Sequence, residues 1–585
     1  MKTGRAEGAA ECWQGEQSSA AGARKEDFGG RMIRILLCGQ DFEQEIKPLI
    51  KAFFPGAEFE VIKEEWQGGG IQSAARFAEA LCARQEVRAG TAAEEPGGTK
   101  PGAGLLPFSS EPEKETGAEF LRRPARRGKK TSAEQPCVLD CAFLLYPEEG
   151  YLAVQAADGW QAAEFHGVSP EAERKEYRNV MMRKLYRLLA ERCGRELPWG
   201  MMTGIRPTKQ VLERLEAGES PEEVREFMRR EYLCSDEKID VSLAVAGTEH
   251  RILEDLDYRS GYSVYIGIPF CPSTCYYCSF PSFPVGIYGE LTEAYLNALM
   301  REIRYAGSAL PGKRLQTLYI GGGTPTTLSA EQLDRLLTCA EESFDLTALR
   351  ELTVEAGRPD SITAEKLRVI RAHGAGRISI NPQTMKQETL DLIGRRHTVE
   401  QIRETFLLAR ELGFDNINMD MILGLAKETP QDVADTLARI GELSPENLTV
   451  HTLAVKRAAR LCTKKEEYEG LAAENVQEML RLSCEFAAAN NYHPYYLYRQ
   501  KNMTENLENV GYSRPGREGI YNVLIMEERQ TILALGAGAT TKFVFDGGNR
   551  LERVENVKNL KDYIERIDEM IARKQSFLEQ FGAML

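Results

Sequence analysis

A chain of 585 residues is too long for one ordinary domain and long enough to bury several cores. Its 42% hydrophobic and 28% charged residues are those of a globular protein, and a net charge of −14 argues against a general nucleic-acid binder. No apolar run has the length of a membrane span and the N-terminus has no signal-peptide core. A cytoplasmic protein is expected, whose 13 cysteines read as reduced thiols rather than a disulfide framework.

Residues 1–31, rich in Gly, Ala and charge, read as a disordered tail or as a start codon placed too early. MIRILLC begins a strand at Met32; a helix over 41–53 and a strand over 57–63 follow. The stretch 86–136 lacks periodicity and is rich in Pro, Gly, Glu, Lys and Arg, as in a disordered insertion. Its RRPARRGKK run, Arg122 to Lys130, reads as a solvated loop in preference to a nucleic-acid or membrane patch. FLLYPEEGYLAVQAADGWQAAEF reads as strand, turn and strand, and helices are expected over 170–193 and 219–231. Together these give an N-terminal α+β domain over 32–245. Within it, Arg206 and Lys209 of PWGMMTGIRPTK suit the carboxylates of an acidic ligand, or simply mark a rigid turn before a helix.

From residue 255 to 460 the pattern alternates. YSVYIGI, QTLYI, ELTVE, RISI, NINMDMI and NLTVHT are short β-rich runs, separated by amphipathic segments such as LTEAYLNALMREIRYA and AEQLDRLLTCAEESF. Such repeats imply an α/β fold with a parallel sheet, either open and doubly wound or a barrel. Residues 461–585 turn helical again, then mixed, and read as a mainly helical C-terminal module.

Directly after the first of these strands, YIGIPFCPSTCYYCSF places Cys271, Cys275 and Cys278 in a C-x3-C-x2-C spacing. Zinc sites normally use four ligands in two pairs, and no second pair accompanies this one. A 4Fe–4S cluster normally takes four thiolates; with three, one iron is left to bind something else. Pro269 and Pro272 limit helix formation, so the segment can wrap a cluster as a loop. In a parallel barrel the site gathers at the C-terminal strand ends. There the sequence puts GGGTP (Gly321 to Pro325), Glu355, Gln383 with Arg395 beyond it, Asp420, and Ala454; His451, following a strand and before the Ala454 turn, either faces them or, as a lone histidine more often is, serves as a structural residue.

CPSTCYYC followed by GGGTP resembles the radical S-adenosylmethionine (SAM) superfamily. YIGIPFCPSTCYYCSF is similar to its coproporphyrinogen dehydrogenase branch, and VEAGRPDSI, INPQTM, HTLAVKR and LGAGATTK are most similar to the HemZ type of that branch, over residues 260–545. The resemblance implies a partial (β/α)6 barrel with a 4Fe–4S cluster on Cys271, Cys275 and Cys278 and a SAM on the open iron. It implies contacts to that SAM from Tyr265, Gly322, Glu355 and, late in the chain, Thr540, with Tyr265 and Glu355 the candidate catalytic residues. Enzymes of the related HemN type bind a second SAM, and the matching positions are Tyr277, Gly323, Thr324, Gln383, Arg395, Asp420 and Ala454. The implied reaction is oxygen-independent decarboxylation of two propionates of coproporphyrinogen III to vinyl groups, giving protoporphyrinogen IX in haem biosynthesis, by a 5′-deoxyadenosyl radical. A monomer fed by a flavodoxin- or ferredoxin-like electron donor is expected, with no nucleic acid or membrane span involved. Two features depart from relatives: Gly267 stands where much of the branch has His, and Tyr521 to Met526 (YNVLIM) stands where the HemW haem chaperones carry HNxxYW. A HemW-like chaperone and a radical SAM methyltransferase acting on a porphyrin are the alternative readings.

Overall fold

The computed structural model describes residues 32–64, 137–146, 149–156, 159–166, 174–454, 475–500, 507–548 and 550–584. The expected tail over 1–31, the insertion over 86–136 and its basic run lie outside them. The described residues divide into two compact units, one holding those from 32 to 203 together with 227–235, the other holding 204–226 and those from 236 onward. The expected boundary at 245 falls inside a single helix, Asp236–Glu254.

In the first unit, β1 (Met32–Gly39) lies between β2 (Glu58–Glu64) and β3 (Cys137–Tyr146), parallel to both. β4 (Glu149–Ala156) and β5 (Gly159–His166) extend the sheet antiparallel, so the expected strand–turn–strand is three strands. The helices Glu43–Phe53 and Arg174–Cys193 form where 41–53 and 170–193 were read, and Phe42 stacks on Tyr177 at 5.6 Å in their shared core.

The second unit carries β6 (Gly261–Ile268), β7 (Arg314–Gly322), β8 (Glu351–Gly357), β9 (Arg377–Ile380), β10 (Ile417–Leu423) and β11 (Asn447–Thr452), one for each expected run. They pair parallel, in sequence order, without the reversal that defines a doubly wound sheet. This is the partial (β/α)6 barrel. The helices between strands start cleanly: Ser329, Thr398 and Thr429 each make a capping box, with Gln332, Gln401 and Asp432 respectively.

Beyond residue 461 the described residues hold more helix than strand, yet their five strands join the same sheet. β12 (His493–Tyr498) and β13 (Asn509–Ser513) extend it antiparallel beyond β11. β14 (Thr531–Leu535) pairs parallel with β6, and β15 (Thr540–Phe545) and β16 (Arg550–Glu555) continue outward. The result is one sheet of eleven strands. Among the described residues no helix is long and apolar enough to cross a membrane.

Candidate active site at the strand ends

Alternation along β6 and β7 pairs Ser263 with Thr317 and Tyr265 with Tyr319. Ser263 and Thr317 join through their hydroxyls at 2.7 Å. One layer nearer the C-terminal ends, the Tyr265 and Tyr319 rings stack at 6.2 Å, and Tyr319 stacks on Tyr521 of the helix Ile520–Glu527 at 4.4 Å. The stretch in place of HNxxYW therefore puts a buried tyrosine against the aromatic layer that includes the candidate SAM contact Tyr265. Above Tyr265, a Cβ at Gly267 would lie 3.4 Å from the Tyr265 ring and 3.3 Å from the Leu535 carbonyl, a tight approach that glycine avoids.

The glycine run and the cysteine loop are fastened to each other. Gly323 N–H donates to Ile268 O and Thr324 N–H to Phe270 O, both at 2.7 Å. A Cβ on Gly323 would lie 2.5 Å from Phe270 O, and Gly322 adopts φ +107°, so both positions require glycine. Gly322 N–H also donates to Glu355 at 3.2 Å, and the Tyr319 hydroxyl donates to the other Glu355 oxygen. Burial pushes the Glu355 carboxyl up to about 7; the Tyr319 hydrogen bond opposes this, while the Asp420 charge adds to it.

The loop is held from its far side as well. Tyr276 N–H donates to Ile393 O at 3.1 Å and Ser273 Oγ to Gly394 O at 3.1 Å. Thr324 Oγ1 donates to Cys271 Sγ at 3.6 Å, and Arg358 Nη1 to Cys275 Sγ at 3.7 Å. Arg395, also buried, donates through Nη1 to Asn381 O, and the neighbouring Tyr277 and Cys275 hold its charge in place. Burial raises the Cys271 thiol to about 11, the Thr324 hydroxyl opposes this, and the neighbouring Cys275 and Cys278 raise it further. As the chain stands, no three His, Cys, Asp or Glu side chains among the described residues are gathered tightly enough to hold a metal ion, the three thiols included. The donor set nonetheless suits an iron–sulfur cluster: three thiols on one loop, with a hydroxyl and a guanidinium group aimed at two of the sulfurs.

Gln383 and Asp420 meet through the backbone, Gln383 N–H donating to Asp420 O at 2.9 Å. Gln383 has φ +68°, an uncommon conformation for a side-chain-bearing residue, and its buried Oε1 has no partner. The buried Nε of Arg395 is likewise unpaired. Unsatisfied buried polar atoms at strand ends are what a polar ligand would complete. Asp420 accepts from Asn418 at 2.7 Å, and its other oxygen is 3.8 Å from His451 Nε2. Burial works against the Asp420 charge, but His451 and Asn418 outweigh it and hold the carboxyl below its usual range. Ala454 lies two residues beyond β11, and Thr540 opens β15 at the same end of the sheet, past the Gly536 and Gly538 turn.

Arg206 and Lys209 belong elsewhere. Arg206 pairs with Glu528 at 2.9 Å and donates to Met526 O, closing the end of the helix Ile520–Glu527, while Lys209 pairs with Glu213. The residues that reading by strand ends missed are Arg358, Tyr319 and Tyr521. Arg358 directly follows the last residue of β8, and that position was the available signal for it.

Residues 265–440 match the radical SAM superfamily. Over 411 residues the chain is 42% identical to the oxygen-independent coproporphyrinogen-III oxidase-like protein HemZ of Bacillus subtilis, spanning 69% of this chain and 82% of that protein. The chain belongs to the radical SAM superfamily, in its HemZ-type branch. Radical SAM proteins of this kind use a 4Fe–4S cluster and SAM. The chain is also 30% identical to the heme chaperone HemW of Lactococcus lactis, over 54% of this chain and 79% of that one. With the oxygen-independent coproporphyrinogen III oxidase of Salmonella typhimurium it shares 29% identity, over 52% of this chain and 65% of that enzyme.

Proposed function

We propose that this radical SAM protein carries out the oxygen-independent conversion of coproporphyrinogen III to protoporphyrinogen IX. The observation that carries the reading is the fastening of the C-x3-C-x2-C loop to the glycine run beside Glu355, in a chain so close to a coproporphyrinogen-III oxidase-like relative. Cys271, Cys275 and Cys278 hold the cluster; Tyr265, Gly322, Glu355 and Thr540 line the first SAM; Tyr277, Gly323, Thr324, Gln383, Arg395, Asp420 and Ala454 line a second. When bound, cluster and SAM supply, on arrival of one electron from a flavodoxin- or ferredoxin-like carrier, the power to remove a hydrogen atom from carbon. The protein's part is to bind, orient and exclude water. Glycines 322 and 323 let a ligand approach the backbone, Glu355 offers an acceptor to an amino group, and Arg395 a cation to a carboxylate. At each propionate, loss of one hydrogen atom to the 5′-deoxyadenosyl radical, of carbon dioxide, and of one electron to a one-electron acceptor turns –CH2–CH2–COO⁻ into –CH=CH2.

The kinship with HemW favours a second reading, a haem chaperone. Tyr521 in place of the chaperone's histidine counts against it. Anaerobic incubation of the reconstituted protein with coproporphyrinogen III, SAM and a reduced donor, products identified by mass, decides between them. Vinyl products with methionine, 5′-deoxyadenosine and carbon dioxide are expected. Tight stoichiometric haem binding without turnover would overturn the enzyme, and S-adenosylhomocysteine in proportion to product would make it a methyltransferase.

A further inference from the structure

We propose that Arg358 is a positioning residue that sets the electron affinity of the cluster through Cys275. The proposal rests on the reading that Cys271, Cys275 and Cys278 are the cluster ligands.

Arg358 leaves the end of β8 immediately after Gly357, whose φ of +72° turns the chain. The turn beyond it is pinned. Ser361 donates to Arg358 O from both its N–H (3.0 Å) and its hydroxyl (2.8 Å), and Thr326 Oγ1 ties the same turn to Ala356 O at 2.6 Å. Held this way, the Arg358 side chain is only 3% exposed. One edge of the guanidinium forks onto Asp360, with Nε at 3.0 Å and Nη2 at 2.6 Å. From the other edge Nη1 reaches the cysteine loop, at 2.8 Å from Ser273 Oγ, 3.2 Å from Ser273 O and 3.7 Å from Cys275 Sγ.

A structural clamp needs only the Asp360 fork and the Ser273 contacts. The third contact, to sulfur, has a different consequence. Each electron added to a cluster places negative charge on its thiolates, and a donor N–H on a ligating sulfur stabilises the reduced form. Burial strengthens the effect because water does not screen it. The Arg395 charge also acts on Cys275, but the donor N–H on this sulfur comes from Arg358. The nearby His397, 3.9 Å from Asp360, adds no charge: burial, then Arg395, push its imidazole down to about 3. Asp360 offsets part of the Arg358 charge while holding its N–H groups in line. The two residues therefore act in opposite senses on the cluster.

That opposition gives the test. Midpoint potentials are read by anaerobic titration, followed by electron paramagnetic resonance, on cluster-loaded wild type, Arg358→Gln, Arg358→Lys and Asp360→Asn, with iron content and thermal stability measured alongside. Arg358→Gln should move the potential to more negative values, Arg358→Lys less so, and Asp360→Asn to less negative values, whereas a clamp alone would lower stability in all three and leave the potential where it was. Unchanged potentials in loaded variants overturn the proposal. Should Arg358→Gln fail to load, Arg358→Lys and Asp360→Asn decide by the same criterion. A wild type without a cluster, or a Cys275→Ala protein with a normal one, overturns the ligand assignment and this inference with it; a normal wild type with silent variants overturns this inference alone.

Discussion

At the scale of single residues, Glu355 carries the most chemistry. Its carboxyl, ordinarily near 4.5, is held up to about 7 by burial at the foot of the glycine run. In the folded protein it therefore keeps a proton that the unfolded chain gives up. The associated stability is fully present below about pH 4.5 and is lost as the pH rises through about 7. One pKa unit is worth about 1.4 kcal/mol, and with some discount for partial exposure the loss is about 2–3 kcal/mol. The Glu355→Gln protein lacks the titrating group. Melting of the cofactor-free wild type should fall relative to that variant between pH 4.5 and 7. Parallel curves would mean that the carboxyl is ionised throughout. Tyr319→Phe removes the hydroxyl whose hydrogen bond draws the carboxyl downward, so it should shift the same window to higher pH while keeping the ring.

At the scale of elements, the site depends on how β6 and β7 are joined past their ends. Gly323 makes this testable, because a methyl group there would meet the Phe270 carbonyl at 2.5 Å and the Ile268 carbonyl at 2.8 Å. Backbone atoms yield little, so Gly323→Ala should cost about 1–3 kcal/mol and lower the iron retained on reconstitution. Gly286→Ala, where nothing lies within 4 Å, is the control and should behave as wild type. Equal iron content in the two variants would show that the loop does not need this fastening. The legible part of the sequence reflects the same geometry. Each core strand is a β-rich run closed by polar or glycine residues, so strands and the residues at their ends could be read together. Contacts made by tertiary pairing could not. Arg358 returns across 83 positions to Cys275, and Tyr521 comes from the far C-terminal region to stack on Tyr319. Hydrophobic periodicity says which face a side chain takes, not which distant segment meets it. The same limit hid the fate of Arg206, whose partners Glu528 and Met526 lie more than 300 positions away, whereas Lys209 pairs with Glu213 one turn along its own helix.

At the scale of the whole molecule, the residues after 461 complete the barrel sheet at both edges instead of standing apart from it. β14 pairs with the strand that leads into the cysteine loop, and the turn after β14 is tied into the core by a buried network. Glu302, on the helix Thr292–Gly307, accepts from Gly536 N–H at 2.9 Å, the Tyr563 hydroxyl at 2.6 Å, Asn556 at 2.8 Å and Lys574 at 2.8 Å. Lys574 belongs to the last long helix, Ile567–Phe581, and both charged side chains are essentially inaccessible, at 1% and 0% exposure. Removing one partner of such a pair leaves an uncompensated buried charge, which costs about 3–5 kcal/mol, while replacing both is far less damaging. Lys574→Met should therefore lower the free energy of unfolding by that much, read as a lower denaturant midpoint in a single transition with the slope unchanged, and Glu302→Gln combined with Lys574→Met should recover a good part of the loss. An effect under about 1 kcal/mol, or a separate early transition for the C-terminal segment, would mean that the last helices are an appendage. A full-sized loss would mean that the barrel, its cysteine loop and the final helix fold as one body, and that a barrel cut at residue 460 could not hold the site in place.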